Sequence, residues 1–268
     1  MNGSITIIGG DRRFLSVRDC FEKEDFSVNT VFLGEKDETS ICDNVILPVP
    51  VARNGFLNAP MTDRAISVDL LVGMLSEKST VFGGMINESL AKMCEKKEIT
   101  LIDYYKDETL LNENAVLTAK AVPFILEENG ISVKDGRIFI LGYGRCGKAI
   151  ADVLSSSGGN VTVVTGRQSI ADYRFIHFEN LRKHLNEASL VINTVPSTVL
   201  SEEELRKLNR NAIIIEIASS PFGIDFEAAK RLGINVIKAP SLPGRYFPKE
   251  AGEVIAKTVF KEMKQCQK

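Results

Sequence analysis

Six residues, Gly142-Tyr143-Gly144-Arg145-Cys146-Gly147, have the types and spacing of a loop that cradles a pyrophosphate. They follow the apolar run Arg137-Ile138-Phe139-Ile140-Leu141 and precede a helical pattern over residues 148–154. Strand, glycine turn and helix in that order are what the chemistry requires. Gly142 permits a tight turn, Gly144 lets the backbone approach the phosphates, and Gly147 lets the helix pack close to the strand. The helix start then offers free N–H groups and a positive dipole end to the anion.

The end of the next strand bears on which dinucleotide fits. It reads Thr165-Gly166-Arg167-Gln168-Ser169, with no carboxylate to hold a ribose 2′-hydroxyl. Thr165, Gly166, Arg167 and Ser169 suit a 2′-phosphate instead, so NADP is expected and NAD less so. Arg145 adds a second cation beside the phosphates. Two later strands close on Asn193-Thr194-Val195-Pro196 and Glu216-Ile217-Ala218-Ser219-Ser220-Pro221. Ligands of open α/β sheets lie outside the carboxyl ends of strands. Asn193, Thr194, Val195, Pro196 and Ala218 are therefore expected at the nicotinamide end, with Ser220 nearer the substrate. The alternative is that Asn193 and Thr194 only cap the following turn.

Candidates for holding a small acidic substrate lie mostly outside this loop. Ile8-Gly9-Gly10-Asp11-Arg12-Arg13 also runs from strand to helix but lacks a third glycine, so it is not a second dinucleotide site. Gly10 and Asp11 at that helix start, and Arg13 through bidentate pairing, are expected to bind an anionic group. Phe82-Gly83-Gly84 repeats the device and adds Gly84. Thr118 and Lys120, then Ser241, Pro243, Gly244, Arg245 and Lys249, complete the set. His177, His184 and Cys146 receive no catalytic role, and the catalytic base is not identified.

The elements that must position these residues are legible as two series. Strands are expected at residues 5–8, 30–33, 45–47, 80–82 and 99–102, and again at 137–141, 160–165, 190–194, 212–218 and 235–238. Helical patterns separate them, notably at residues 14–23, 67–77, 88–97 and 112–129. Strands alternating with helices make an α/β chain of two doubly wound parallel-sheet domains, the second of Rossmann type. The expected division is 1–112, with 249–268 packing back on it, and 113–248 between, so that two helices frame a cleft.

Composition narrows the function further. The 33 basic and 35 acidic residues leave a net charge of −2, which argues against nucleic acid. No apolar run is long enough to span a membrane, and the start lacks the build of a signal peptide. Five scattered cysteines and two histidines, with no CxxC pair, read as reduced thiols in a cytoplasm and predict no metal site.

Taken together the motifs resemble the family of A-type subunits of bacterial dipicolinate synthases. The resemblance rests on the segments at Ile8–Arg13 and Gly142–Gly147, and on Asn114-Ala115-Val116-Leu117-Thr118-Ala119-Lys120. It continues through Asn193–Pro196, Glu216-Ile217-Ala218-Ser219-Ser220-Pro221-Phe222-Gly223, Ala239-Pro240-Ser241-Leu242-Pro243-Gly244-Arg245 and Pro248-Lys249-Glu250-Ala251-Gly252. It implies NADP-linked oxidation of dihydrodipicolinate to dipicolinate, a flavoprotein-like B-type partner subunit, and the mother-cell cytoplasm of a sporulating bacterium. A homo-oligomer is left open. The chain departs from the family pattern at Phe14 (Gln in the family), Leu117 (Pro) and Lys120-Ala121 (Glu-Gly), which touches the substrate side more than the cofactor side. The rival readings are a related two-domain dehydrogenase of shikimate or 2-hydroxyacid type, and a non-catalytic NADP-sensing module.

Overall fold

Runs such as Ile213-Ile214-Ile215 are apolar without alternation because both faces of their sheet are covered. A computed structural model describes residues 3–34, 40–134, 136–167 and 172–266. It divides into two units, Met1–Asn114 with Phe247–Lys268, and Ala115–Tyr246.

The first unit runs β1 (Ser4–Ile8), α1 (Arg12–Lys23), β2 (Ser27–Val31), β3 (Asn44–Ile46), β4 (Ala52–Arg53), β5 (Phe56–Leu57), α2 (Val68–Met74), β6 (Thr80–Gly83), α3 (Glu88–Lys96) and β7 (Thr100–Asp103). Its five-stranded sheet has the order β2-β1-β3-β6-β7, every pair parallel. That is the flavodoxin-like order, with its switch point between β1 and β3. Side-chain caps set the helix starts: Asp11 for α1, Ser67 for α2 and Asn87 for α3 each accept a backbone N–H. The β4–β5 hairpin is absent from the expected strands, although its turn residues Asn54 and Gly55 carry the positive φ of 51° and 82° that such turns demand.

Helix α4 (Glu108–Glu128) crosses the unit boundary, starting four residues earlier than the expected 112. The second unit continues with β8 (Arg137–Leu141), α5 (Arg145–Ser156), β9 (Asn160–Thr165), β10 (Arg174–His177), α6 (Leu181–His184), β11 (Ala188–Asn193), α7 (Glu202–Leu205), β12 (Ile213–Glu216), α8 (Phe226–Arg231), β13 (Asn235–Lys238) and α9 (Leu242–Tyr246). Its six-stranded parallel sheet has the order β10-β9-β8-β11-β12-β13, the Rossmann order with its switch between β8 and β11. The run around His177 is thus an edge strand. No helix among the described residues is long and apolar enough to cross a membrane.

The last helix, α10 (Pro248–Cys266), belongs to the first unit and packs along α1. Phe21 of α1 stacks on Phe260 at 4.0 Å between centroids. The backbones approach so closely at Gly252 that a Cβ there would lie 2.2 Å from the Arg13 carbonyl oxygen. Gly252→Ala is therefore expected to lower stability by about 1–3 kcal/mol, because the helices must part to admit one methyl. Chemical denaturation checks this; an unchanged midpoint would show that the pair can separate freely.

Candidate functional site

The glycine loop joins β8 to α5 at the carboxyl end of the second sheet. Gly142 adopts φ +97°, and a Cβ on it would press on Thr194 Oγ1 at 2.7 Å. Its N–H donates to the Val164 carbonyl at 2.8 Å, which anchors the turn to β9. A Cβ on Gly147 would stand 2.2 Å from the Gly142 carbonyl oxygen, so the helix closes directly on the turn. Gly144 differs from both. It caps α5 with no side-chain hydrogen bond, it is exposed, and a Cβ there would meet nothing within 4 Å. Two glycines thus serve packing, and the third leaves open space at a helix start whose N–H groups point outward. Those features fit a pyrophosphate.

Around the loop the structure gathers several expected residues. Arg167, exposed beyond the end of β9, holds its guanidinium 5.3 Å from the Tyr143 ring centroid. Tyr143 meets Tyr173 edge-on at 6.3 Å, and the Tyr173 hydroxyl donates to Asp152 Oδ1 of α5 at 2.5 Å. Burial pushes the Tyr173 phenol well up in pKa, and the Asp152 hydrogen bond adds to it. The Thr165 hydroxyl accepts from the Arg167 N–H at 3.1 Å and is buried. Gly166 and Arg145 are exposed. Ser169 lies outside the described residues. Burial raises the Cys146 thiol, against a hydrogen bond with the Thr118 hydroxyl and the Arg145 charge. Thr118, expected to hold substrate, is therefore buried on α4 against the loop itself.

At the ends of β11 and β12 stands a buried pair that the candidate residues only half named. Asn193 Nδ2 donates to both oxygens of Glu216, at 2.9 and 3.0 Å, and to the Val195 carbonyl at 3.0 Å. Its Oδ1 accepts from the Val195 N–H at 3.1 Å. Glu216 also accepts from the Ala218 and Gly223 N–H groups at 3.0 and 3.1 Å. Thr194 donates through both N–H and hydroxyl to the Leu141 carbonyl, tying this end to β8. Asn193 therefore does more than cap a turn: with Glu216 it locks two strand-end loops together. Glu216 was legible as part of a polar strand end, but its pairing depends on the β11–β12 register, which sets Asn193 opposite it.

The first-unit candidates are engaged within their own chain. Arg13 does pair with a carboxylate bidentately, but the carboxylate is that of Asp11, at 2.9 Å to each oxygen. It also donates to the Val49 carbonyl at 2.9 Å. A Cβ on Gly10 would stand 2.5 Å from Phe14, and one on Gly84 2.5 Å from Val49 and 2.8 Å from Tyr104. Those glycines make room for side chains of this protein. In the second unit Pro243 is buried and Gly244 partly so, both within α9, while Ser220 is exposed. Arg245 pairs with Glu128 at 2.7 Å, beside Tyr246, whose hydroxyl donates to the same carboxylate. Glu128 lies ten residues along α4 from Thr118, about 15 Å at the helical rise, so Arg245 is not gathered at the loop. Lys120 is exposed.

The glycine geometry separates fold from binding. Gly144→Ala is expected to cost less than about 1 kcal/mol, and Gly147→Ala about 1–3 kcal/mol from the clash with the turn. Both are expected to lose dinucleotide affinity, read by cofactor titration beside a denaturation curve. If Gly144→Ala binds as the parent does, no phosphate approaches that backbone.

Comparison with known proteins places this geometry. The family model of the N-terminal domain of the dipicolinate synthase A-type subunit matches residues 4–105. That of the D-isomer specific 2-hydroxyacid dehydrogenase NAD binding domain matches residues 124–222. The A-type subunit of dipicolinate synthase from Bacillus subtilis (strain 168) is 25% identical over 292 residues, covering 98% of this chain and 96% of the relative. The crystal structure of the corresponding dipicolinate synthase subunit from Bacillus halodurans shares the fold at a TM-score of 0.83, with 21% identity and 97% of each chain covered. The transhydrogenase from Sinorhizobium meliloti does so at 0.69, with 15% identity over 98% of this chain and 94% of that one. The second unit thus carries a nicotinamide-dinucleotide domain of dehydrogenase type. Over its whole length this chain is similar to the A-type subunit of dipicolinate synthase, as its motifs led one to expect.

Proposed function

We propose that this chain oxidises dihydrodipicolinate to dipicolinate with NADP, as the A-type subunit of a two-component dipicolinate synthase in the cytoplasm of a sporulating cell. The observation that carries the reading is the glycine loop: an open Gly144 at an uncapped helix start, with Arg167 beside it where NAD-binding folds put a carboxylate. Similarity over 98% of the chain to a dipicolinate synthase subunit of Bacillus subtilis supports this choice of substrate. The match of residues 124–222 to a 2-hydroxyacid dehydrogenase domain supports an oxidoreductase, and it favours a dehydrogenase of another small acid as the second reading.

The chemistry asks little of the protein beyond placement. Dihydrodipicolinate is a cyclic dicarboxylate that becomes an aromatic pyridine by losing one hydride and one proton. A bound nicotinamide supplies the hydride acceptor, and the proton leaves to water or a base. The chain's own share is to hold the phosphates at α5, to present the rigid loops after β11 and β12, and to orient two carboxylates. Arg13 and Arg245 are held by Asp11 and Glu128, so a substrate carboxylate would share either guanidinium with its own-chain partner or displace that partner. We assign the NADP contacts to residues 142–147, Thr165, Gly166, Arg167 and Ser169, with residues 193–196 and Ala218 at the nicotinamide end.

Two experiments test this. Purified protein, alone and with a candidate flavoprotein-like partner, is incubated with freshly made dihydrodipicolinate and NADP or NAD. Reduced-cofactor absorbance together with dipicolinate identified by mass is the expected result; cofactor binding without turnover in either preparation would favour a sensing module. For the cofactor choice, Arg167→Asp is expected to weaken NADP by on the order of tenfold more than NAD, since a charge-assisted contact becomes a repulsion. Equal losses in fluorescence titrations would sink that assignment.

A further inference from the structure

Glu216 stands out at the carboxyl edge of the second sheet as an acid whose burial is nearly complete, with only 1% of its surface exposed. Among the described residues its hydrogen-bond partners are all neutral N–H groups: Asn193 Nδ2, the Ala218 amide and the Gly223 amide. Both oxygens receive donors, which is the arrangement a carboxylate calls for. Burial lifts the group's pKa above the ordinary carboxylate range, and the Asn193, Gly223 and Ala218 donors offset this only in part. Lys238, opposite it in the β12–β13 register, turns its ammonium instead over the Phe226 ring, 3.8 Å from the centroid. A negative charge therefore sits behind the strand-end loops with no cation on it among the described residues.

Its position gives that charge a consequence. Glu216 ends β12 beside Asn193 at the end of β11, on the carboxyl edge where a Rossmann sheet receives its dinucleotide. An oxidised nicotinamide ring is cationic and a reduced one is neutral. A fixed buried anion therefore stabilises the first relative to the second, and salt screens it little. We propose that Glu216 sets the redox-state preference of the site: its charge favours the oxidised cofactor, which must accept hydride, over the reduced one, which must leave. This rests on reading the second unit as a nicotinamide site. Glu216 is a specificity-determining residue acting through its charge, and no proton transfer is asked of it.

The test measures dissociation constants of NADP and of its reduced form, by titration calorimetry, for the parent, Glu216→Gln and Glu216→Asp. The Gln variant is expected to lower the oxidised-over-reduced preference by roughly tenfold, the order of magnitude of one unit charge acting through a protein interior of effective dielectric constant near 20. The Asp variant keeps the charge while shortening its arm, so it is expected to keep the parent's ratio even if both affinities fall. Should the Gln variant fail to fold, Glu216→Ser, whose hydroxyl and an admitted water together can take the three N–H donors, replaces it. Equal weakening of both forms by the neutral variant, or the same ratio shift in the Asp variant, overturns the proposal but leaves the cofactor site standing. Failure of the parent to bind either form overturns the cofactor reading, and the inference with it.

Discussion

A parallel strand buried on both faces ends with backbone groups that water cannot reach, and each must find a partner at the carboxyl edge of its sheet. In this molecule those last carbonyls are met by the amides of loops from neighbouring strands. Gly9 donates to Val31 and Leu47 to Phe82 in the first unit; in the second, Gly142 donates to Val164, Thr194 to Leu141, Ile217 to Asn193 and Ala239 to Glu216. Six loops that follow strands are thus tied to the strand beside them. The result is a row of loops held at fixed positions along one edge, which is what a binding site built on backbone groups requires.

The two units use this edge differently, and their glycines show how. Gly10 and Gly84 of the first unit are pressed by Phe14, Val49 and Tyr104. Gly142 of the second is pressed by Thr194 and Val195 and Gly147 by the Gly142 carbonyl, but Gly144 between them faces open space. The first edge is closed by its own side chains, the second left open at one residue. Similar glycine-bearing turns, read as chemistry, therefore mean packing in one place and access in the other.

Much of this was legible in the sequence. Unalternating apolar runs marked the buried strands, and the glycine spacing marked the loop that the switch point of the second sheet now holds. Local signals missed or misread were available too: Asn54-Gly55 announces a hairpin, and Asp11 two residues before Arg13 at a helix start announces a cap with an ion pair. Other features were out of reach. Arg245 finds Glu128 across 117 positions, and Asn193 finds Glu216 across 23 through strand register. Side-chain type alone cannot say that an arginine suited to a substrate carboxylate already has one from its own chain.

The packing of α10 on α1 also orders events in time. Phe14, Val17 and Phe21 share one core with Ile255, Val259 and Met263. Everything between residues 115 and 246 belongs to the other unit. The first unit therefore completes its core only when a segment from beyond the whole second unit returns to it, a non-local contact whose loop-closure cost precedes its reward. Until α10 docks, the apolar face of α1 has no cover from the last stretch of its own unit.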